Sequence, residues 1–304
     1  MFRRVILRGI DLIFPFFRLW FPNFSVMNEL DSITLILNRK LSCVRFGDGE
    51  FNIIHSNGKI GTKYQTGNPL LAKKLLNILD SKEKEDLLVC VPIFLSKDLD
   101  WSLYEKSSRR FWRYYVLRNI TWISDILSNS YLYGSAQISR PYINRANHID
   151  SKKIFDAWKK VFCNRNIIIV EGEFTRFGVG NDLLDQASSI KRIICPNFEA
   201  FSCYDKILTS CLQQQDNSLF ILALGPVSKP LVFDLLNANN RTFQVLDLGH
   251  LDIEYEWFLR NVTTKVSIPG KYVNESNNSK LFEPINLKQY QTEIIDRVFP
   301  DINN

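Results

Sequence analysis

The chain predicts an α/β fold, a mostly parallel sheet with helices on both faces and Rossmann-like in outline, and three observations carry that prediction. From residue 151 onward, helical and strand-like patterns alternate. The strand candidates are short continuous apolar runs, as expected where both faces of a sheet are covered. Polar clusters follow directly on those runs, where the carboxyl ends of parallel strands gather. With 304 residues, 45% hydrophobic and 23% charged, the chain can bury a sizeable core and is neither disordered nor fibrous.

Residues 1–24 are apolar but broken by Arg8, Asp11 and Arg18, and Pro15 would kink a helix there, so the segment is a poor membrane span. Arg4, Arg8, Asp11 and Arg18 fall on one helical stripe with apolar residues around the rest. That pattern fits a helix lying in a membrane interface, with basic residues near anionic headgroups. It fits equally a helix packed on the domain's own core, and no small-residue cleavage site follows it. The net charge is +6, and four arginines against one aspartate fall in the first 24 residues, leaving the body nearly balanced. A nucleic-acid partner, which calls for a basic face along the domain, is not expected.

Met27 to Leu37 carries apolar residues at helical spacing, and Ser42 to Phe46 reads as a short strand. Asn68-Pro69 provides a cap and a first-turn proline for a helix over 70–79, and Leu87 to Ile93 is a buried parallel strand. Residues 98–129 read as helical, with Trp101, Trp112 and Trp122 as core. Then come helix 151–162, strand 166–171, helix 180–189, strand 192–195, helix 203–214, strand 218–224, helix 227–238 and strand 243–248. A helical pattern over 286–298 closes the chain. The division is therefore a basic amphipathic segment at 1–24, a catalytic domain at 25–260 and a tail at 261–304 with a short helix. Asn261, Asn274 and Asn277 head glycosylation sequons that a cytoplasmic protein would not use. The six cysteines are scattered and without zinc spacing, which points to a reducing cytoplasm.

The polar clusters define a candidate site. In Arg45-Phe46-Gly47-Asp48-Gly49-Glu50, an extended backbone would turn Asp48 and Glu50 to one side, where both carboxylates can share a hard cation, Mg²⁺ or Mn²⁺. A solvated Asp-Gly turn is the plainer alternative. Glu171-Gly172-Glu173, Gly225-Pro226 and Gly249-His250 each follow a predicted strand, an unusual concentration of acids, glycines and one of only three histidines at one sheet edge. Thr175 to Asp182 contains Gly178 and Gly180 ahead of the expected helix, whose first N–H groups would face an anion, and Arg176 adds a permanent charge. Asn181 or Asp182 would otherwise simply cap that helix. The motif lacks the third glycine of a dinucleotide fingerprint and the lysine of a P-loop. Together the parts suit a nucleoside diphosphate held through a divalent cation, which would neutralise the leaving diphosphate.

Four ordered motifs resemble those of the bacterial glycosyltransferases of the GT-D fold. They are Arg45 to Glu50, Ser139-Arg140-Pro141-Tyr142, Glu171 to Asp182, and Gly249-His250-Leu251-Asp252-Ile253-Glu254-Tyr255-Glu256-Trp257. The resemblance covers about residues 27–260 and implies transfer of a sugar from a nucleotide sugar, typically UDP-linked, to a surface glycan or glycoprotein, with the Asp-x-Glu motif at the metal. On this reading Asp48, Glu50 and His250 are metal ligands. Arg45, Gly47, Arg140, Arg176, Gly178, Gly180, Asn181 and Asp182 hold the nucleotide sugar. Asp252, Glu254 and Glu173 are candidates for the base that an inverting reaction needs. Phe174 departs from the pattern, standing where a polar or basic residue is expected. The leading expectation is a metal-dependent transferase on the inner face of a membrane, acting on a lipid-linked glycan. A nucleotide-sugar hydrolase, a phosphotransferase and a non-catalytic nucleotide-sugar binding protein are the alternatives.

Overall fold

The computed structural model describes residues 11, 13–238, 242–275 and 288–301, and residues 13–18 are helical. Strand β1 (Ser25–Val26) precedes helix α1 (Glu29–Arg39), where Asn28 caps the helix by accepting from Asp31 N at 2.9 Å. Strand β2 (Ser42–Arg45) leads into α2 (Asp48–His55), and α3 (Pro69–Asp80) starts under the Asn68 cap with proline in its first turn. Next come β3 (Leu87–Val91), the long α4 (Lys106–Ile126), β4 (Leu132–Ser135) and α5 (Ser151–Phe162). Strands β5 (Asn166–Gly172) and β6 (Ser189–Cys195) follow, then α6 (Tyr204–Leu212), β7 (Leu219–Ala223), α7 (Ser228–Leu236), β8 (Gln244–Asp247) and α8 (Leu251–Leu259). Helix α9 (Lys288–Glu293) and strand β9 (Ile294–Arg297) are the last described elements.

Among the described residues the nine strands form one sheet, ordered β1-β4-β3-β2-β8-β7-β5-β6-β9, and every pairing in it is parallel. Side-chain alternation along each strand feeds two cores. In β7, Phe220 and Leu222 join one, while Leu219 and Ile221 join the other. Helices α3, α4, α6 and α7 close the first core, and α1, α5 and α8 close the second, so the expected α/β fold with both faces covered is the observed one. After β4 the chain crosses to the far half of the sheet and returns through β7 to β8, which lies against β2. The two halves meet between β2 and β8, the kind of junction at which parallel sheets bind ligands outside their carboxyl ends.

Several expected elements differ. The helix expected over 180–189 is absent: residues 173–175 and 177–186 are turns and bends, broken by a single unassigned residue. Gly178 and Gly180 take φ values of +75° and +82°, and Asn181 Oδ1 accepts from Leu183 N at 3.1 Å, a local bond that competes with helix formation. Leu183 and Leu184 are both buried from within this turn. Residues 48–50 are not extended but form the first turn of α2, where Glu50 folds back to accept from Gly47 N at 2.9 Å. Strands β1, β4 and β9 were not expected. The first is only two residues long, β4 contains a glycine, and β9 alternates half-buried and exposed residues at the sheet edge. The helical pattern over 286–298 divides into α9 and β9, and its first two positions lie outside the described residues. Trp101 is buried as expected, whereas Trp112 and Trp122 are half-buried.

Candidate active site

A cavity of about 900 Å³ opens along the carboxyl ends of the strands. Its wall includes Arg45 to Glu50 after β2, Gln137 and Arg140 after β4, Gly172 and Thr175 after β5, and Asn197 after β6. It also includes Gly225 and Lys229 after β7, and Asp247, Gly249 and His250 after β8. The loop Thr62 to Gln65 forms a further wall. That loop folds tightly because Gly61 lets its backbone approach Gln65 O, which a Cβ would meet at 2.2 Å, and Glu199 clamps it by accepting from Gln65 Nε2 and Thr66 N at 2.8 Å each.

The floor between β2 and β8 is a charge network. Asp247 Oδ2 accepts from Arg45 N at 3.1 Å, Arg45 Nη2 donates to Asp247 Oδ1 at 3.1 Å, and Arg45 Nη1 donates to Ser139 Oγ. Lys229 Nζ reaches Glu50 Oε1 at 2.8 Å, Asp247 Oδ2 at 3.2 Å and Gly225 O at 3.0 Å. Arg45 and Lys229 thus neutralise Asp247 and Glu50 and fix their positions in the floor. Asp48 is different: it lines the cavity without an ion pair among the described residues. Burial raises its carboxyl above the ordinary value, and the neighbouring charge of Glu50 raises it further. A cation bound beside it would relieve that cost.

The second charged group lies towards α8. Arg140 Nη1 donates to Glu275 Oε1 at 3.0 Å, and the same carboxylate meets His250 Nε2 at 3.0 Å. Burial lowers the His250 imidazole from its ordinary value, and the charge of Arg140 lowers it further, which favours the neutral ring. Among the described residues no group of three or more His, Cys, Asp and Glu is disposed to hold a metal. Of the expected ligand set, Asp48, Glu50 and His250 all line the cavity, but Glu50 is engaged by Lys229 and Gly47 N, and His250 by Glu275. The shared-side geometry expected for Asp48 and Glu50 is replaced by a helical one, in which positions two apart point roughly 160° away from each other. Asp48 remains suited to a cation that keeps several waters and bonds mainly to ligand phosphates.

Other expected site residues lie elsewhere. Asp252 Oδ1 accepts from Gly178 N at 2.9 Å and from Asn181 Nδ2 at 2.8 Å, and its Oδ2 meets Lys271 Nζ at 2.7 Å. Gly178 and Asn181 therefore brace α8, neither they nor Gly180 line this cavity, and the helix N-terminus expected to face an anion there is absent. Arg176 points to Gly270 O, and Asp182 accepts from Tyr255 Oη at 2.6 Å and pairs with Lys159 at 2.7 Å. Glu254 is wholly buried and accepts from both Tyr142 N and Ile143 N at 2.9 Å, so it holds the Arg140 segment from behind. Burial, opposed by the charge of Arg140, pushes its carboxyl up to about 7. Neither Asp252 nor Glu254 reaches the cavity wall, and Glu173 is absent from it too. The acids that do line it are Asp48, Glu50, Glu105 and Asp247.

Sequence reasoning missed Lys229, Asp247, Glu105 and the loop around Tyr64. Lys229 and Asp247 carried a readable signal, since each lies within four residues of a glycine cluster at a strand end. Tyr64 had none: its neighbours Tyr272, at 5.8 Å between ring centroids, and Phe198, at 6.2 Å, are remote in sequence. Residues beyond 260 also contribute to the wall, Thr263, Lys265, Tyr272 and Asn274 among them.

Comparison with known proteins identifies the family and the fold. The family described as "Glycosyltransferase GT-D fold" matches residues 43–276. "Glycosyltransferase GlyD" of Streptococcus pneumoniae serotype 4 is 34% identical over 268 residues, which is 88% of this chain and 32% of the relative. "Probable glycosyl transferase Gly" of Streptococcus gordonii is 34% identical over 272 residues, 89% of this chain and 38% of the relative. The chain thus spans about a third of the length of the curated relatives it matches. A solved structure described as "The highly conserved domain of unknown function 1792 has a distinct glycosyltransferase fold" superimposes with a TM-score of 0.84 at 37% identity, covering 91% of this chain and 96% of the other. "A New Glycosyltransferase" of the same domain family, from Streptococcus sanguinis, superimposes with a TM-score of 0.83 at 33% identity, covering 90% of this chain and 99% of the other.

Proposed function

Because the chain belongs to the GT-D-fold glycosyltransferase family, we propose that it transfers a sugar from a nucleotide sugar, UDP-linked, to a glycan acceptor, with a divalent cation, Mn²⁺ or Mg²⁺. The observation that supports this best is Asp48, a half-buried carboxylate that lines the cavity at the sheet's carboxyl edge and has no ion pair among the described residues. Asp48 would hold the cation together with the donor's phosphates, and such a cation supplies neutralising charge for the leaving diphosphate. Lys265 lines the same cavity, and Arg140 and Lys229, paired there with Glu275 and with Glu50 and Asp247, would supply further N–H donors where the diphosphate would lie. Arg45 fixes the floor through Asp247, so that little reorganises as charge develops. With Asp252 and Glu254 walled off, Glu105 at the start of α4 is the lining acid placed to take a proton from an acceptor hydroxyl. The acceptor is a glycan carried on a lipid, and the enzyme works peripherally on the cytoplasmic face of a membrane. Among the described residues no helix is long and apolar enough to cross one.

Product analysis tests the assignment. The chain is incubated with a panel of UDP-sugars and Mn²⁺, with and without glycan acceptors, and the products are weighed by mass spectrometry. Sugar appearing on the acceptor is the expected result. Free sugar formed equally with and without acceptor would show a hydrolase, and no turnover of any donor would contradict the transferase assignment.

A further inference from the structure

Large apolar side chains are exposed in one place out of proportion to the rest of the described surface. Phe14, 3% exposed, anchors the helix over 13–18 against Trp101 at 5.0 Å between ring centroids, yet Phe16 is 71% exposed and Trp20 88%, with Ile13, Phe17 and Leu19 beside them. The helix is held in place: Asp11 pairs with Arg110 at 3.1 Å and Arg113 at 2.8 Å, and Lys97 Nζ donates to Leu19 O at 3.4 Å. An apolar face so fixed and so exposed marks an interaction surface.

The circumference of α4 ties that surface to the cavity. At 100° per residue, Arg113 and Arg110, which hold the 13–18 helix, are followed around α4 by Tyr114, Arg118 and then Phe111. Tyr114 and Phe111 are exposed, Arg118 Nη1 donates to Tyr114 Oη at 3.5 Å, and Phe111 lines the cavity with Ser107, Ser108 and Trp112. The exposed stripe therefore runs without interruption from the apolar helix to the cavity's rim.

Charge selects the occupant. Asp11 is neutralised by Arg110 and Arg113, and Asp98 stands near Arg18; Lys97, Lys106, Arg109 and Arg118 carry no ion pair among the described residues, against Asp100, Glu105 and Asp125, so the balance is basic. Exposed Phe and Trp, tyrosine at the margin and basic side chains around them are the composition of a surface that settles into anionic headgroups. We propose that the face formed by residues 13–20 and the outer stripe of α4 rests on an anionic lipid bilayer, so that the cavity rim meets a saccharide anchored in that bilayer. This extends the transferase assignment by giving the acceptor's route of entry, and it rests on that assignment.

The test separates the two. The 304-residue chain is sedimented with phosphatidylcholine vesicles, with and without phosphatidylglycerol, as wild type, as a Phe16→Ser/Trp20→Ser variant and as Arg118→Gln, with circular dichroism and nucleotide binding as controls. Wild type should bind the anionic vesicles only. The double variant should bind them about tenfold less tightly or worse, and Arg118→Gln should bind less tightly with a shallower salt dependence, all with unchanged folding and nucleotide binding. Given one saccharide in soluble and lipid-anchored form, wild type should prefer the anchored form, and the double variant should lose the preference while keeping its rate on the soluble form. Undiminished vesicle binding by the double variant would overturn the proposal. So would a self-association abolished by the same substitutions, which would make a second copy the occupant. Vesicle binding is read without turnover, so a failed transfer assay contradicts the transferase assignment and leaves the surface to be judged on its own.

Discussion

Two acidic regions of this molecule have similar composition and opposite character. At the end of β2, Asp48 and Glu50 open into the cavity. On α8, Asp252, Glu254 and Glu256 are buried behind its wall. The α8 acids are satisfied internally: Lys271 meets Asp252 at 2.7 Å and Glu256 at 3.0 Å, Asn181 bonds to both, and Glu254 caps two backbone N–H groups. Asp48 has no ion pair among the described residues, and burial and the charge of Glu50 raise its carboxyl more than the charge of Arg140 and the backbone N–H groups of the helix start lower it. A carboxylate that the protein has already neutralised is structural, and one left costly is available to a ligand.

The largest effect should come from breaking the satisfied region. Asp252→Ala leaves Lys271 with Glu256 alone and removes an acceptor from Gly178 N and Asn181, so denaturant unfolding should show a loss of about 3–5 kcal/mol. Asp48→Asn should act the other way. Turnover should fall roughly 10²–10³-fold, while the thermal midpoint holds or rises, because a strained charge has been removed. A midpoint that falls with Asp48→Asn and stays constant with Asp252→Ala would invert the comparison.

Glu254 sharpens it through pH. Its folded value is raised to about 7 from an ordinary 4.5, so the folded chain binds this proton more tightly than the unfolded one. That stabilisation is present in full below pH 4.5 and is lost as pH rises towards 7, a change of about 3 kcal/mol. Glu254→Gln should remove this slope, so that the stability of the variant relative to wild type climbs between pH 4.5 and 7 in parallel denaturant titrations. The smallest effect is expected at Glu173, which is absent from the cavity wall: Glu173→Gln should change turnover by no more than about twofold.

Much of this was legible in the sequence. Continuous apolar runs such as Ile167 to Val170 located the parallel strands, and the glycines and acids after them located the edge at which the cavity opens. What the sequence could not show was the choice of partner. Asp252 and Asp48 are both acids beside a helix start, and only the fold brings Lys271 to one and leaves the other without an ion pair among the described residues. The stretch from Gly178 to Ser188 misled because adjacent leucines in a tight turn mimic a helical face, while the positive φ of the two glycines is invisible in residue identities. Strand β9 was hidden because an edge strand has only one neighbour to bury against.

The most direct test is calorimetric titration with UDP-sugars, in the presence and absence of Mn²⁺, of wild type and Asp48→Asn side by side. The account predicts binding that depends on Mn²⁺ in wild type and is lost in Asp48→Asn, whose fold is intact. Equal binding by both proteins with and without the metal, or no binding of any UDP-sugar by wild type, would contradict it.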